Sequence, residues 1–284
     1  MSDKSRKWVL GIIFTAGFLL LCYPLINSQI TSRSQKSEVN SYNEGVDNKS
    51  EEERQQMMQD AQEYNDMLFQ SQGAIVAGLD TGVLSDESYE KQLKTTDGGI
   101  MGSIEIPKID VDLPIYHGTE DDVLAAGVGH QQGTSLPIGG ESTHSCLTGH
   151  RGLPGSSLFT RLDEIVNGDL FFINVLGEVH AYQVYDIEVY TPEEAAEKAT
   201  TIESGKDIVS LVTCTPYGIN THRLVVTGER VPYEKASYEG ISSELPSWRE
   251  LLFMALPFIL IGVVVVLKIK DWRTSKRNEK KESE

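Results

Sequence analysis

The sequence predicts a mainly β domain, closed into a barrel and held between two membrane-spanning helices. Three observations carry this. Short runs of alternating apolar residues, separated by glycine, proline and other turn residues, recur from Gly102 to Val231. Two long apolar runs lie near the ends, each flanked by lysine and arginine. The charge is also divided: the 284-residue chain carries −17, yet residues 1–7 carry +2 and residues 268–284 carry +3, which leaves −22 between them.

The first run, Trp8 to Ile26, places 19 nearly uncharged positions behind Lys4, Arg6 and Lys7. That is enough to cross the hydrocarbon core as a helix. A cleaved signal peptide has the same basic start and apolar centre, but the bulky Tyr23-Pro-Leu-Ile-Asn27 offers no small-x-small exit, so an anchor is expected. Residues 1–7 then form a cytoplasmic N-terminus, and residues 27–50, rich in Ser, Asn and Gln, read as an extracellular tether. Between Glu51 and Phe69 the residues Met57, Ala61, Tyr64 and Leu68 make one apolar stripe at helical spacing. Packing on the domain surface is the plain use of such a stripe; pairing two copies is the other. Residues 70–99 are punctuated by Gly73, Gly78, Gly82, Gly98 and Gly99 and read as a lid or irregular linker, so that 51–99 form an N-terminal helix and lid-like region.

The β-rich core spans residues 100–232. Ile104 and Ile106 alternate before Pro107, and Val111, Leu113 and Ile115 alternate before His117-Gly118. Further strands are expected at about Thr143–Thr148, Asp169–Leu176, Val179–Val189, Asp207–Thr213 and His222–Val231. Short helices are expected at Asp121–Ala126, with acids in its first turn, at about Ser157–Leu162, and at Pro192–Ala199, with proline at its first position. Barrel and sandwich both fit, and the barrel is favoured because closure removes edge strands.

A linker, residues 233–250, leads to the second apolar run, 251–267, and a basic tail, 268–284. The basic flanks place both termini in the cytoplasm and the domain outside the cell membrane. All three tryptophans, Trp8, Trp248 and Trp272, sit beside these runs, where the headgroup level suits an amphipathic ring. An acidic exterior repels nucleic acid and anionic lipid and attracts a basic protein substrate. No HExxH, CxxC or other metal-ligand spacing occurs, so neither a zinc site nor a cofactor is predicted.

Chemistry concentrates in Ser210 to Val226. An apolar run ends at Cys214, turns through Thr215-Pro-Tyr-Gly218, and returns along a run beginning at Arg223. A hairpin of this kind sets a sulfur nucleophile opposite a fixed cation. A thiolate suits acyl transfer through a thioester, and the turn amides after Cys214 are candidates for holding an oxyanion. Arg223 stays protonated, so its roles are orientation and charge stabilisation.

Of the six histidines (His117, His130, His144, His150, His180, His222), His150 ends an apolar strand and starts the turn Arg151-Gly-Leu-Pro-Gly155, which gives a substrate free approach. His222 is nearer in sequence, but adjacent strand residues point to opposite faces, so it and Arg223 do not both face the site. Cys22 lies in the anchor. Cys146 shares strand parity with Thr148 and His150; a small buried residue is its plain reading, and a 146–214 disulfide is the alternative in an oxidising exterior.

Taken together, Ser210-Leu-Val-Thr-Cys214 with Arg223 nine residues on, Gly102-Ser-Ile-Glu-Ile-Pro-Lys-Ile109, Leu113-Pro-Ile-Tyr-His-Gly-Thr119 and Leu147-Thr-Gly-His-Arg-Gly-Leu-Pro154 resemble the sortases, membrane-anchored cysteine transpeptidases of Gram-positive bacteria. The likeness covers residues from about 50 to 232. It is nearest to class C, the pilus-assembling group, in which a second membrane segment is typical. Ser210 stands where the family has threonine.

The resemblance implies an eight-stranded β-barrel, no essential cofactor, and catalysis by His150, Cys214 and Arg223. It implies cleavage of an LPxTG-like sorting signal between Thr and Gly, and joining to a lysine of another secreted pilin subunit. Anchoring to peptidoglycan, a hydrolytic cysteine protease, a non-catalytic assembly scaffold and a peptide-binding module are the alternatives. Class C members typically plug the cleft with an Asp-Pro-aromatic lid motif. Residues 70–99 stand in that place without it; the nearest stretch is Ala77-Gly-Leu-Asp-Thr-Gly82. Either Leu79 or Asp80 fills the cleft, or the lid is loose, and a loose lid is expected.

Overall fold

The structure is a computed structural model. It describes residues 3–76, 85–95, 98–153, 155–245 and 248–282. The chain divides into two units, residues 30–245 and residues 1–29 with 246–284. In order, the elements are α1 (Asp3–Asp47), α2 (Glu51–Val76), α3 (Asp86–Glu90), β1 (Ile100–Ile106), β2 (Val111–His117), α4 (Asp121–Ala126), β3 (Val128–His130), β4 (Thr143–Thr148), β5 (Leu170–Val175), β6 (Glu178–Tyr190), α5 (Pro192–Lys198), β7 (Asp207–Thr215), β8 (His222–Val231), α6 (Lys235–Glu239) and α7 (Trp248–Glu282).

The eight strands close in the order β1-β2-β3-β4-β7-β8-β6-β5. Two pairings are parallel, β2 with β3 and β4 with β7; the other six are antiparallel. Ile104, Ile115, Leu147, Phe171, Ile173, Val209, Leu211, Leu224 and Val226 fill the interior, all nearly solvent-free. The alternation seen in the sequence accounts for this, because residues two apart on a strand share a face.

Three elements differ from expectation. β3 is a three-residue strand among glycines, too short to show alternation, yet it joins β2 to β4 and so closes the barrel. The helix expected at Ser157–Leu162 is a run of turns followed by one 3-10 turn, Leu162–Glu164. The polar stretch expected to be a tether, residues 27–50, is helical to Asp47 and packs on the barrel from residue 30 onward. Val39, Tyr42 and Val46 are buried there, and Gln35 donates to the Ala126 carbonyl at 3.0 Å. The Tyr42 hydroxyl donates to the Met101 carbonyl at 3.2 Å and accepts from the Leu176 amide at 2.9 Å. Few apolar residues do this work, so composition hid the contact.

In α2 the expected stripe faces inward: Ala61, Tyr64 and Leu68 are buried, with Met57 packed beside them. Asn65 adds a two-way clamp on Leu136, accepting from its amide at 2.7 Å and donating to its carbonyl at 3.2 Å. Within the lid-like region, α3 is pinned by Tyr89, whose hydroxyl accepts from the Gly118 amide at 3.0 Å and lies 2.9 Å from His130 Nδ1. The stretch Ala77-Gly-Leu-Asp-Thr-Gly82, including Leu79 and Asp80, lies outside the described residues. The linker after β8 is also docked. Tyr233 and Tyr238 set their rings edge-on against Phe172, and Tyr238 donates to Glu105 at 2.6 Å.

Among the described residues one helix, Gly11–Asp47, is long and apolar enough to cross a membrane. The second apolar run lies in the helix α7, with Leu251, Leu252, Phe258, Ile259, Val263 and Val266 exposed.

Tyr42 supplies a direct check on the docked α1. Replacing it with phenylalanine leaves a buried carbonyl and amide unpaired, so Tyr42→Phe should destabilise the domain by about 1–3 kcal/mol in urea unfolding. A flexible tether at this position predicts no change.

Candidate active site

The site is assembled by strand register. β7 pairs antiparallel with β8, and Cys214 stands directly opposite Arg223. Val209 and Leu211 face the interior, so the alternate residues Ser210, Val212 and Cys214 face outward, as do Arg223, Val225 and Thr227 on β8. β4 runs parallel to β7, with Cys146 beside Ser210 and Thr148 beside Val212. The ladder continues past the end of β4, since the Gly149 amide donates to the Val212 carbonyl at 3.0 Å. Thr213 Oγ1 then donates to the Gly149 carbonyl at 2.7 Å. Cys214 and Arg223 thus face each other at one rim of the barrel, on its outer face, and His150 follows Gly149 at the end of the neighbouring strand.

Local packing explains why His150 emerges there. A Cβ on Gly149 would lie 2.7 Å from the ring of Phe159, which is fully buried, so only glycine lets the strand pass this close. The loop then folds back, and the Phe159 amide donates to the His150 carbonyl at 3.1 Å.

The turn after Cys214 has a cis Thr215–Pro216 bond, with positive φ at Gly218 and Asn220. The amides of Ile219 and Asn220 both donate to the Pro216 carbonyl at 3.0 Å, so these two of the amides after Cys214 are already committed. Arg223 donates through Nη1 to the carbonyls of His222, at 3.1 Å, and Asn220, at 3.3 Å. His222 is exposed, pairs with Thr215 and contacts Thr221 Oγ1 at 2.9 Å, away from the Arg223 face.

The remaining candidates are structural. Cys146 is fully buried beneath α5, where Ala195 and Ala199 cover it together with Val212 and Val225. Burial pushes its thiol up to about 12. All three cysteines are free, so no 146–214 disulfide exists. His130, His144 and His180 are buried, and loss of solvation holds each below the ordinary imidazole range, His130 and His180 at about 4. His117 contacts the Gly99 and Gln92 carbonyls at 3.0 and 2.8 Å. Among the described residues no cluster of His, Cys, Asp and Glu could hold a metal ion.

One contributor was missed in the sequence. Arg151, read only as part of a turn, has a side chain that is 8% exposed and bridges the two loops of the site. Its guanidinium pairs with Asp163, donates to Thr215 Oγ1 at 3.3 Å, and lies over the Tyr217 ring, 5.9 Å from its centre. Its position directly after His150 was the only available signal.

Comparison with known proteins agrees with this architecture. Residues 104–231 match the sortase domain. The sortase C1 structure from Streptococcus agalactiae is 42% identical, with a TM-score of 0.64 over 70% of this chain and 100% of that one. The chain belongs to the sortase family. The sortase C structure from Clostridium perfringens with the C-terminal cell wall sorting motif is 40% identical, with a TM-score of 0.60 over 69% of this chain and 99% of that one. Sortase D of Bacillus subtilis is 29% identical over 151 residues, 52% of this chain and 72% of that protein. The resemblance to class C therefore stands, and with the family comes the reaction class: this sortase is a cysteine transpeptidase.

Two predictions follow from burial. In the folded sortase, iodoacetamide at pH 8 should modify Cys214 and spare Cys146 until denaturant is added; peptide mapping distinguishes them, and equal labelling contradicts the assignment. The buried histidines also set a pH dependence. They stay neutral in the fold, His130 and His180 down to about pH 4, whereas the unfolded chain takes up protons near 6.5. Stability should be complete above about pH 6.5 and fall as the pH drops, by up to roughly 1.4 kcal/mol per pH unit for each group. Asp112 and Asp207, held above the usual carboxylate range chiefly by burial, oppose this at lower pH, so urea midpoints between about pH 6.5 and 5 are the test.

Proposed function

We propose that this sortase cleaves an LPxTG-like sorting signal between Thr and Gly and joins the released carbonyl to a lysine amine of another secreted pilin subunit. Cys214 is the nucleophile, His150 the general acid and base, and Arg223 the group that orients the signal and stabilises the oxyanion. The observation that carries this reading is the direct pairing of Cys214 with Arg223 on the face where His150 emerges.

The Cys214 thiolate attacks the threonine carbonyl carbon, and negative charge collects on the oxygen, where a guanidinium is effective in a partly dehydrated cleft. Collapse breaks the C–N bond to glycine, and His150 in its cationic form gives the departing amine its proton. The thioester then meets the lysine amine, whose proton passes to neutral His150 while the isopeptide bond forms and the Cys214 thiolate leaves. The imidazolium is thereby regenerated, and every proton is accounted for. Neither a metal nor a cofactor enters the scheme.

The catalytic unit lies on the extracellular face of the cell membrane, tied at both ends. Residues 8–26 and 251–267 span the bilayer, with residues 1–7 and 268–284 in the cytoplasm. Support comes from the basic flanks, the two helices and the tryptophans beside them. Residues 70–99 lack an Asp-Pro-aromatic motif, so the cleft works without a plug of that kind.

The test is mass spectrometry of the full-length protein mixed with a Leu-Pro-x-Thr-Gly peptide and then with a lysine peptide from a pilin. A thioester adduct should map to Cys214. Cys214→Ala should lose both adduct and joined product, His150→Ala should slow the reaction about 10²–10⁴-fold, and Arg223→Ala about 10²–10³-fold. Joining that survives Cys214→Ala sinks the reading. Transfer to peptidoglycan amines in preference to the lysine peptide overturns the pilin acceptor and leaves the nucleophile in place.

A further inference from the structure

Beyond the end of β4 the His150 loop leaves the sheet, while β7 runs on beside β8 to Thr215 before its own turn, and little backbone joins the two loops. The last ladder contacts are the Gly149 amide on the Val212 carbonyl and Thr213 Oγ1 on the Gly149 carbonyl. His150 lies past these contacts, whereas Cys214 is still held in the β7–β8 ladder opposite Arg223. The His150 loop is therefore tied to the end of β7 chiefly by side chains, and one side chain reaches across.

We propose that Arg151 is a positioning residue that fastens the Thr215–Tyr217 turn to the His150 loop and so keeps sulfur and imidazole in register. This rests on the assignment of Cys214 and His150 above. The guanidinium is anchored on its own side by Asp163, which follows on the chain segment returning from His150. Across the gap it donates to Thr215 Oγ1, one residue beyond the nucleophile. Its Cζ also lies over the Tyr217 ring, 5.9 Å from the centre. The Tyr217 ring in turn closes on the backbone of Gly152, where a Cβ would approach it to 3.1 Å, and Gly152 has φ of +76°. Hydrogen bond, ring contact and close backbone approach thus join the same two loops.

The geometry requires arginine. One planar fork serves a carboxylate, a hydroxyl and a ring face at once, whereas an ammonium is a single point with no plane to stack. With the side chain 8% exposed, the fork is shielded from competing water. Asp163 balances its charge, so its action on His150 and Cys214 is chiefly one of placement. Because Arg151 touches no reacting atom, its loss should lower the acylation rate and leave signal binding alone. A displacement on the order of 1 Å between reacting groups can cost 10²-fold.

The experiment compares full-length, detergent-solubilised wild type with Arg151→Lys, Thr215→Val and Asp163→Asn. Lys91→Ala, a change at an exposed lysine of the lid-like region, serves as the control. Two readouts are taken: hydrogen exchange of residues 150–160 and 215–221, and kcat and KM for thioester formation with the Leu-Pro-x-Thr-Gly peptide.

The expected result is faster exchange in both loops and kcat lowered about 10-fold or more, with KM within about twofold and an unshifted pH profile. Arg151→Lys keeps the charge and loses the fork, so failure of lysine to rescue attributes the effect to geometry. Unchanged exchange overturns the clamp, and faster exchange with unchanged kcat overturns its role in positioning. A shifted pH profile with unchanged exchange also overturns it, in favour of an electrostatic role. If Arg151→Lys does not fold, the Thr215→Val variant removes the same bridge from the half-exposed partner and is read by the same criteria. Hydrogen exchange reports on the clamp whether or not Cys214 is the nucleophile, so failure of the clamp and failure of the catalytic assignment are separable.

Discussion

Strand register is the constraint on which the site depends. A side chain on a strand points to one face or the other with a period of two, and a slip of one residue reverses every assignment. In this barrel two ladders share β7: the antiparallel one fixes Cys214 against Arg223, and the parallel one brings the end of β4 alongside. Both are secured by the buried interior set, Leu147, Val209, Leu211, Leu224 and Val226. The core thus does more than stabilise the fold. It decides which residues share the outer face, and so which groups can react together.

The same face also shows how one barrel makes one thiol inert and leaves another open. Cys146 and Cys214 are both outward-facing, on adjacent parallel strands. The Thr191 capping box starts α5 immediately after β6, and the helix lies over the lower part of that face. Cys146 falls beneath Ala195 and Ala199 and is held protonated by its apolar surroundings. Cys214 lies further along, beyond the helix, and is only partly buried. Access and local dielectric, with no difference in chemical type, separate the buried thiol from the open one.

Seven of the eight strands were legible because their apolar alternation is local and long enough to read. The hairpin that pairs Cys214 with Arg223 was legible because cysteine, proline, glycine and arginine each carry a positional meaning there. β3 was not: three residues among glycines have no period, and the strand exists through its neighbours β2 and β4. Residues 30–47 misled for a different reason. Their polar composition suggested a tether, whereas Val39, Tyr42 and Val46 recur at three and four residues and suffice to dock a helix whose other faces remain in solvent. Arg151 went unrecognised because its partners, Asp163, Thr215 and Tyr217, come from two separate loops.

The docking of both flanks bears on how the barrel works as a unit. Tyr42 ties α1 to β1 and to the β5–β6 turn. At the other end Tyr238 binds Glu105 on β1, while Arg161 donates to the carbonyls of Glu244 and Leu245, and Lys108 pairs with Asp169 at 2.8 Å. Entering and leaving segments therefore both converge on β1 and the strand beside it, β5. The ladders that position Cys214 and Arg223 lie elsewhere in the closed order, at β4, β7 and β8. On that arc α5 covers only Cys146 and its neighbours Val212 and Val225, and Cys214, further along β7, stays partly exposed.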